Sequence, residues 1–159
     1  MNIIWHGHSC FEITGKDGTI VFDPYQANSV PGLNSLKLKA NLVLCSHEHD
    51  DHNARNCVEV APKDFKVTCI ETYHDHHQGS HRGKNTIHIV DFEDLKVVHM
   101  GDIGCMMDDV SKLKNCDVLM IPIGGYYTID TKEALKYIER IQPRIVIPMH
   151  YHSHEFGYD

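Results

Sequence analysis

The residues best suited to chemistry stand together at the end of a short apolar run. After Leu42-Val43-Leu44, the chain continues through His47-Glu48-His49-Asp50-Asp51-His52, which places three imidazoles and neighbouring carboxylates within six residues. Such side chains bind metal ions or carry protons. A strand that ends in a cluster of this kind usually places it at a site rather than in a core. The side chains leave one turn in several directions, so we expect this loop to supply ligands to two adjacent metal positions.

Three further candidate ligands also follow predicted strands. His74 and His150 each come after an apolar strand, and Asp102 lies between glycines after another. Ligands from several strand ends converge at one edge of a sheet, where a rigid scaffold can hold a site. His74 is preferred because it follows its strand directly, although the nearby His76 or His77 could take its place. The sequence therefore predicts one composite site built from distant segments.

The ligand types indicate the metal and the reaction. Neutral imidazoles with a few carboxylates suit zinc, and also iron or manganese, whereas a shell of oxygen alone would indicate magnesium or calcium. No thiolate lies in the cluster, so we expect an open catalytic site rather than a closed structural one. Two divalent metal ions roughly 3.5–4 Å apart can share a hydroxide and lower the pKa of its parent water towards about 7. Such a hydroxide attacks a carbonyl or phosphoryl centre.

Length and composition restrict the class of protein. A chain of 159 residues with 42% apolar and 23% charged residues is typical of one soluble globular domain, here 1–159. There is neither a run of about 18 apolar residues nor a signal-peptide pattern, which predicts a cytoplasmic protein without a membrane span. The formal net charge of −7 disfavours a nucleic-acid partner, so a small-molecule substrate is expected. The sequence does not decide the oligomeric state, and a homo-oligomer is one possibility.

The order of the predicted elements, strands first and then alternating strand and helix, fits a sandwich of sheets with helices outside. Strands are predicted at 2–8, 10–14, 19–22, 41–46, 65–71, 85–90, 95–99, 117–123 and 144–149. Short helices are predicted over 53–60 and 109–114, and a clear helix over 131–141. The last begins with a capping-box pair, Asp130 and Glu133. Its predicted apolar stripe consists of Ala134, Leu135, Ile138 and Ile141.

The hexapeptide 47–52 resembles the His-x-His-x-Asp-His signature of the metallo-β-lactamase-fold hydrolases, which are typically binuclear. The matching order extends over segments 5–11, 22–24, 99–102, 122–125 and 148–151. The order of these segments along the chain is similar to that in a compact branch of predicted zinc-dependent hydrolases related to ascorbate-phosphate lactonase and N-acyl-phosphatidylethanolamine phospholipase D. The resemblance implies an α/β fold, a four-layer αββα metallo-β-lactamase sandwich in minimal version.

Position by position, the resemblance also implies a ligand set. The first metal would be bound by His47, His49 and His74. The second would be bound by Asp51, His52 and His150, and Asp102 would bridge the two metals. Asp51 would both ligate a metal and orient the hydroxide, which makes it the candidate catalytic residue. The sequence identifies no general acid for the leaving group.

Four more residues are candidates for contact with the substrate or for support of the ligands. His8 could do either, and Asp23 is expected to hold the metal loop in place by hydrogen bonds rather than to bind metal. Tyr126 and Tyr127, after two glycines, could line the pocket. The remaining histidines of interest are interpreted as surface or hydrogen-bonded residues: His81, His88, His152 and His154.

These features favour a metal-dependent hydrolase that attacks an ester, lactone or phosphoester bond. A phosphodiesterase or nuclease is one alternative, against which the acidic charge stands. A metal-binding protein without hydrolytic activity is the other. A motif shows that metal and water can be positioned, but the pocket decides what is cleaved.

Overall fold

Eleven β-strands and one α-helix make up residues 1–158, the part of the chain that the computed structural model describes. The strands are β1 (Asn2–Gly7), β2 (Cys10–Gly15), β3 (Gly18–Phe22), β4 (Leu38–Ala40), β5 (Leu42–Leu44), β6 (Val58–Val60), β7 (Lys66–Tyr73), β8 (Lys84–Phe92), β9 (Leu95–His99), β10 (Val118–Pro122) and β11 (Ile145–Met149). The helix α1 spans Thr131–Ile141, and short 3-10 helices span Arg55–Cys57 and Ser111–Leu113. No helix of this part is long and apolar enough to cross a membrane.

Two sheets bring the chemically active strand ends to the same side of the molecule. The first sheet has the order β1-β2-β3-β5, and the second has the order β11-β10-β9-β8-β7. In the first, β1 and β2 and then β2 and β3 pair antiparallel, and β3 and β5 pair parallel, so β1, β3 and β5 run in one direction. By the same reasoning, β7, β9, β10 and β11 run in one direction in the second sheet. The carboxyl ends of each set therefore share an edge.

The core between the sheets is aromatic and aliphatic. Phe11 and Phe22 of the first sheet belong to one buried cluster with Phe92, Val97 and Met120 of the second. Complete burial of each such side chain stabilises the fold by roughly 1.5–3 kcal/mol. This packing fixes the distance between the sheets, and with it the distance between the ligands that the two edges present.

The helix α1 begins and ends where the sequence predicts. Oδ1 of Asp130 accepts a hydrogen bond from the Glu133 N–H at 2.8 Å, and Oε2 of Glu133 accepts one from the Asp130 N–H at 3.0 Å. This capping box is confirmed. Gln142 closes the helix in the left-handed region, with φ 56°.

The apolar stripe of α1 differs from the prediction at one position. Ala134 and Ile141 are buried against the second sheet, but Leu135 is 55% exposed, so its assignment to the stripe was wrong. Tyr137 is fully buried in its place. The buried ring is tolerated because its hydroxyl donates a hydrogen bond to the carbonyl of Cys105 at 2.8 Å.

The outer face of the first sheet is covered without an α-helix in the described chain. A loop, 23–37, and the small parallel sheet of β4 and β6 pack there around Val21 and Tyr25. The helix predicted over 53–60 is therefore wrong: it is one 3-10 turn followed by β6. The β-branched Val58 pairs with Leu38 of β4, and this tertiary partner overrides the local pattern. The predicted sandwich of sheets is confirmed, and it is minimal, because within residues 1–158 the single α-helix packs on the second sheet.

Candidate metal centre

Five strand ends deliver histidines and carboxylates to one point between the two sheets. The donors come from the segments that follow β1, β5, β7, β9 and β11. Within each of three overlapping groups, the candidate ligand atoms lie within 4.8 Å of one another. The groups are His47, His49 and His74; His8, Asp51, His52 and His150; and His47, His52 and Asp102.

Asp23 lies fully buried behind the cluster and orients two of its histidines. Its Oδ2 accepts hydrogen bonds from Nδ1 of His52 at 2.9 Å and from the hydroxyl of Ser46 at 2.6 Å. Because this hydroxyl donates its one hydrogen to Asp23, it can only accept from Nδ1–H of His47, 2.9 Å away. Both rings thus carry a hydrogen on Nδ1, which leaves Nε2 of a neutral ring as a lone pair suited to metal binding.

Nε2 of His52 faces other acceptors. It lies 3.1 Å from Oδ2 of Asp102 and 3.5 Å from Oδ2 of Asp51, with Nε2 of His8 at 3.2 Å. Burial would lower the pKa of His52, but the carboxylates of Asp102 and Asp23 raise it well above its ordinary value. The site therefore favours a positive charge at this atom, which a proton or a metal ion can supply.

The same cluster contains polar atoms without partners. Nε2 of His47 and Nδ1 of His74 are buried, and neither has a hydrogen-bond partner among residues 1–158. Buried polar atoms are seldom left in this state. Burial lowers the pKa of His47 to about 3, so this imidazole is neutral at pH 7, as metal ligation requires. The residues present fit divalent metal ions bound by nitrogen and oxygen.

Asp102 stands at the centre of the cluster. Its Oδ2 lies 2.9 Å from Nε2 of His150 and 3.5 Å from Nε2 of His74. Its backbone N–H donates to Oδ1 of Asn85 at 2.8 Å, which fixes the turn. Gly101 precedes it with φ +56°, and a Cβ there would lie 2.4 Å from that same Asn85 oxygen. Burial would raise the pKa of Asp102, but His150 above all holds it well below its usual range.

Backbone strain marks three residues of this edge. His8, Asp23 and His150 have positive φ values of 53°, 42° and 51°. A non-glycine residue in this region stores roughly 1–3 kcal/mol, and such strain often accompanies function. At His8 the strain places Nε2 3.1 Å from Oδ2 of Asp51. Burial, followed by the charge of His150, lowers the pKa of His8 to about 4, so its ring is neutral at pH 7.

A cavity of about 260 Å³ opens above the candidate ligands. Several of these candidates line it together with Arg82, Tyr127 and Tyr158. Tyr126, which is 70% exposed, lines an adjoining cavity of about 100 Å³ with Tyr127 and Tyr158. Burial raises the pKa of Tyr158 to about 12, so its hydroxyl stays protonated at neutral pH. This hydroxyl donates a hydrogen bond to the carbonyl of Ser29.

The structure brings all seven residues of the expected ligand set together, and it separates the two alternatives to His74. His76 is mostly exposed, and its Nε2 lies 3.7 Å from Glu133, while the ring of His77 contacts that of His81. His8 lies among the candidate ligands of one group rather than outside it. Its sequence signal, a histidine after a strand, is shared by other members of the cluster.

Three participants were missed in the sequence, and one histidine was misplaced. Ser46 adjoins the ligand loop, so position alone could have indicated it. Arg82 and Tyr158 lie in segments without a recognisable motif, and only the fold brings them to the cavity. His88 was interpreted as a surface or hydrogen-bonded residue; the surface alternative is wrong, because the side chain is buried, and its Nδ1 has no hydrogen-bond partner within residues 1–158.

Comparisons with known proteins confirm the metallo-β-lactamase sandwich in a minimal form. The family model described as the beta-lactamase superfamily domain matches residues 2–150. A UPF0173 metal-dependent hydrolase of Thermoplasma acidophilum is 29% identical, and the match covers 96% of this chain and 84% of that protein. A second, from Staphylothermus marinus, is 30% identical, and the match covers 92% of this chain and 82% of that protein. A Thermotoga maritima structure, assigned to Zn-dependent hydrolases of the metallo-beta-lactamase superfamily, has a TM-score of 0.74 at 27% identity, and the match covers 98% of this chain and 78% of that one. The first alignment has 191 positions for a chain of 159 residues, so that relative contains segments absent here.

Proposed function

The chain belongs to the beta-lactamase superfamily, and we propose that it is a metal-dependent hydrolase that cleaves an ester, lactone or phosphoester bond of a small molecule. The observation that carries this proposal is the convergence of eight imidazole and carboxylate side chains from five strand ends. The relatives named metal-dependent hydrolases support the same reaction class.

Two divalent cations, with zinc as the expected metal, would occupy the cluster. His47, His49 and His74 form one set of donors. The second set contains Asp51, His52 and His150, with His8 beside them, and Asp102 lies between the two sets. The metals, when bound, would supply Lewis acidity and lower the pKa of a bound water towards about 7.

The catalytic role falls to Asp51. Burial would raise the pKa of this carboxyl group, but hydrogen bonds from His52 and His8 hold it well below its usual range. Asp51 is therefore a carboxylate at neutral pH and can accept a hydrogen bond from the attacking water at Oδ2. His8, 3.1 Å from that oxygen, orients the carboxylate. This pair fixes the direction from which the water approaches.

The cavity supports a small substrate. Its volume of about 260 Å³ is close to the lower end of the range for small-molecule sites. Tyr127 and Tyr158, whose ring centroids are 5.6 Å apart, form a wall that keeps water from one side of the ligands. The reacting bond would thus lie between the metal ligands and an aromatic wall.

One experiment tests the proposal directly. Protein purified without added metal is analysed for bound metal and then assayed, at several zinc, manganese and iron loadings, on a panel of phosphodiesters, phosphomonoesters, lactones and β-lactams. We expect about two equivalents of metal per chain and turnover of at least one class, which EDTA removes and zinc restores.

Each alternative has its own outcome in this experiment. Absence of metal binding by the native protein would refute the metallohydrolase. Full metal loading with no turnover across the panel would favour a metal-binding protein without hydrolytic activity. Turnover restricted to the phosphodiesters of the panel would favour a phosphodiesterase or nuclease.

A further inference from the structure

The loop between β7 and β8 is wound around one carboxylate. Oδ1 of Asp75 accepts hydrogen bonds from the backbone N–H groups of His77 and Gly79 at 2.7 and 2.9 Å. Oδ2 accepts from those of His81 and Arg82 at 3.0 and 2.8 Å. Although burial would raise the pKa of Asp75, these four donors hold it well below its usual range. The loop therefore has one defined course past the metal centre.

Arg82 is the last residue that this carboxylate holds, and it lines the cavity above the metal ligands. Its guanidinium carbon lies 5.3 Å from the ring centroid of Tyr127 and 5.5 Å from that of Tyr126. Contact with an aromatic face steadies a guanidinium group without using its N–H donors, which point outward in the plane. The hydrogen-bonding edge of Arg82 is thus available to a ligand.

The other arginines of the chain are already engaged. Arg55 pairs with Glu48 at 2.7 Å and Arg144 with Asp117 at 2.7 Å, while the guanidinium of Arg140 donates to two carbonyls at 2.7 Å each. Within residues 1–158, Arg82 has no carboxylate within 4.0 Å of its guanidinium nitrogens. In a chain with a formal net charge of −7, an uncompensated guanidinium at a cavity mouth indicates a ligand of opposite charge.

We propose that Arg82 anchors an anionic group of the substrate, a phosphate or a carboxylate, at the mouth of the metal cavity. A guanidinium fork matches the oxygens of either group and can bind two at once. This assignment rests on the proposed hydrolase, since it gives a substrate class to the same site. The scissile bond would reach the metal ligands while Arg82 holds the charged end, which makes Arg82 a determinant of specificity.

Anion binding by the metal-loaded full chain tests this assignment without reference to turnover. Inorganic phosphate and acetate are titrated by calorimetry into wild type, Arg82→Gln, Arg82→Lys and the control Lys84→Gln. Lys84 lies two residues away, and its exposed ammonium pairs with Glu71 at 3.0 Å. We expect Arg82→Gln to weaken binding of the preferred anion about 10- to 100-fold, the range for a hydrogen bond to a charged group. Arg82→Lys should lose less, and Lys84→Gln should change affinity less than about twofold.

The two anions distinguish the sources of the charge. A loss confined to phosphate assigns a phosphorylated substrate, and a loss confined to acetate assigns a carboxylic acid. Metal content, measured on every variant, should match that of wild type, because Arg82 is not among the candidate ligands.

Three results would overturn the assignment: unchanged affinity for both anions in Arg82→Gln, an equal loss in Lys84→Gln, or loss of metal from Arg82→Gln. Failure of the proposed hydrolase looks different, because wild type would then bind no metal or, when fully loaded, would turn over no member of the panel. Binding of phosphate or acetate that depends on Arg82 would in either case still support the anion site.

Discussion

The floor and the rim of the cavity are each organised by one buried aspartate, but through different partners. We use "floor" for Asp23 with the candidate ligands and "rim" for the loop residues 75–83 with Tyr126, Tyr127 and Tyr158. In the floor, Asp23 contacts the ring of His52 and the hydroxyl that holds His47. In the rim, Asp75 accepts hydrogen bonds from four backbone N–H groups. The first arrangement requires particular side chains, whereas the second fixes a loop whose side chains can vary.

This difference separates two parts of the function. His52 and Asp102 are almost completely buried, while Tyr127 is 38% exposed. Under the proposed function, buried and mutually oriented ligands would determine the reaction, because their positions would set the metal geometry. Rim residues such as the half-buried Arg82 would contact the distant part of a substrate and determine which molecule is accepted. Changes in the floor should therefore affect metal and turnover, and changes in the rim should affect affinity.

The largest effect is expected at Asp51, the residue of the floor that would orient the attacking water. Asp51→Ala should lower kcat/KM about 10³-fold on whichever substrate the panel identifies, because a ligand and the acceptor for the water are lost together. Steady-state kinetics, metal content and far-UV circular dichroism measure this. Asp50→Ala, at the exposed neighbouring position, is the matched control and should keep its activity. Full activity in Asp51→Ala would refute its catalytic role.

A carboxylate-to-amide change in the floor should act on the metal. Asp23→Asn keeps the shape of the side chain but removes the charge that orients His52, so metal affinity should fall about 10- to 100-fold. A competition titration with a chromophoric chelator measures the affinity. Asp75→Asn, the same change in the rim, is the control and should bind metal as wild type does. Equal losses in both variants would remove the distinction between floor and rim.

His88 is a buried histidine outside the floor, and its burial should make the stability of the protein depend on pH. It lacks the carboxylate partners of His52, and burial lowers its pKa to about 4. The unfolded state, with an ordinary pKa of about 6.5, then binds more protons, so stability is lost as pH falls from about 6.5 towards 4. In His88→Gln this loss should shrink by about 1–2 kcal/mol between pH 7 and pH 5.

Urea unfolding at several pH values measures this difference. The control is His154→Gln, since His154 is exposed. An unchanged pH profile in His88→Gln would show that His88 is not protonated on unfolding in this range.

The smallest effect is expected from the rim aspartate itself. Asp75→Asn should raise KM for an anionic substrate about three- to tenfold with little change in kcat, because weaker bonds to the loop backbone leave Arg82 less firmly placed. Phosphate affinity should fall in parallel. A drop in kcat with unchanged KM would instead connect the loop to the chemistry of the floor.

Much of the floor could be predicted from the sequence because its residues stand at strand ends. The loop 47–52 contains its donors in one hexapeptide, and His74, Asp102 and His150 each follow a strand with a clear apolar pattern. Because ligands at several strand ends tend to meet at one edge of a sheet, convergence was a reasonable expectation. The fold class was predictable in the same way, from strand order and from the resemblance of the hexapeptide to a family signature. The roles of the individual ligands stay predictions.

Other features were not predictable, for physical reasons. Local periodicity favoured a helix over 53–60, but pairing with β4 made Val58–Val60 a strand. Leu135 fitted the helical stripe, yet Tyr137 fills the core because its hydroxyl finds a carbonyl partner. Arg82 lies in no recognisable motif, and only its position in the fold, at the cavity and beside two tyrosine rings, indicates a role for it.

The sequence by itself determined the ligand types, the strand ends that present them and the capped helix, because these follow from local chemistry and periodicity. Only the tertiary structure decided which atoms face one another. The hexapeptide 47–52 gains His8, Asp102 and His150 from strands far apart in the chain, and Asp23 sets the tautomer of two of its histidines. It also decided that Arg82 stands above the site, with no carboxylate within 4.0 Å of its guanidinium nitrogens among residues 1–158. Long-range packing sets such distances, and no local pattern encodes them.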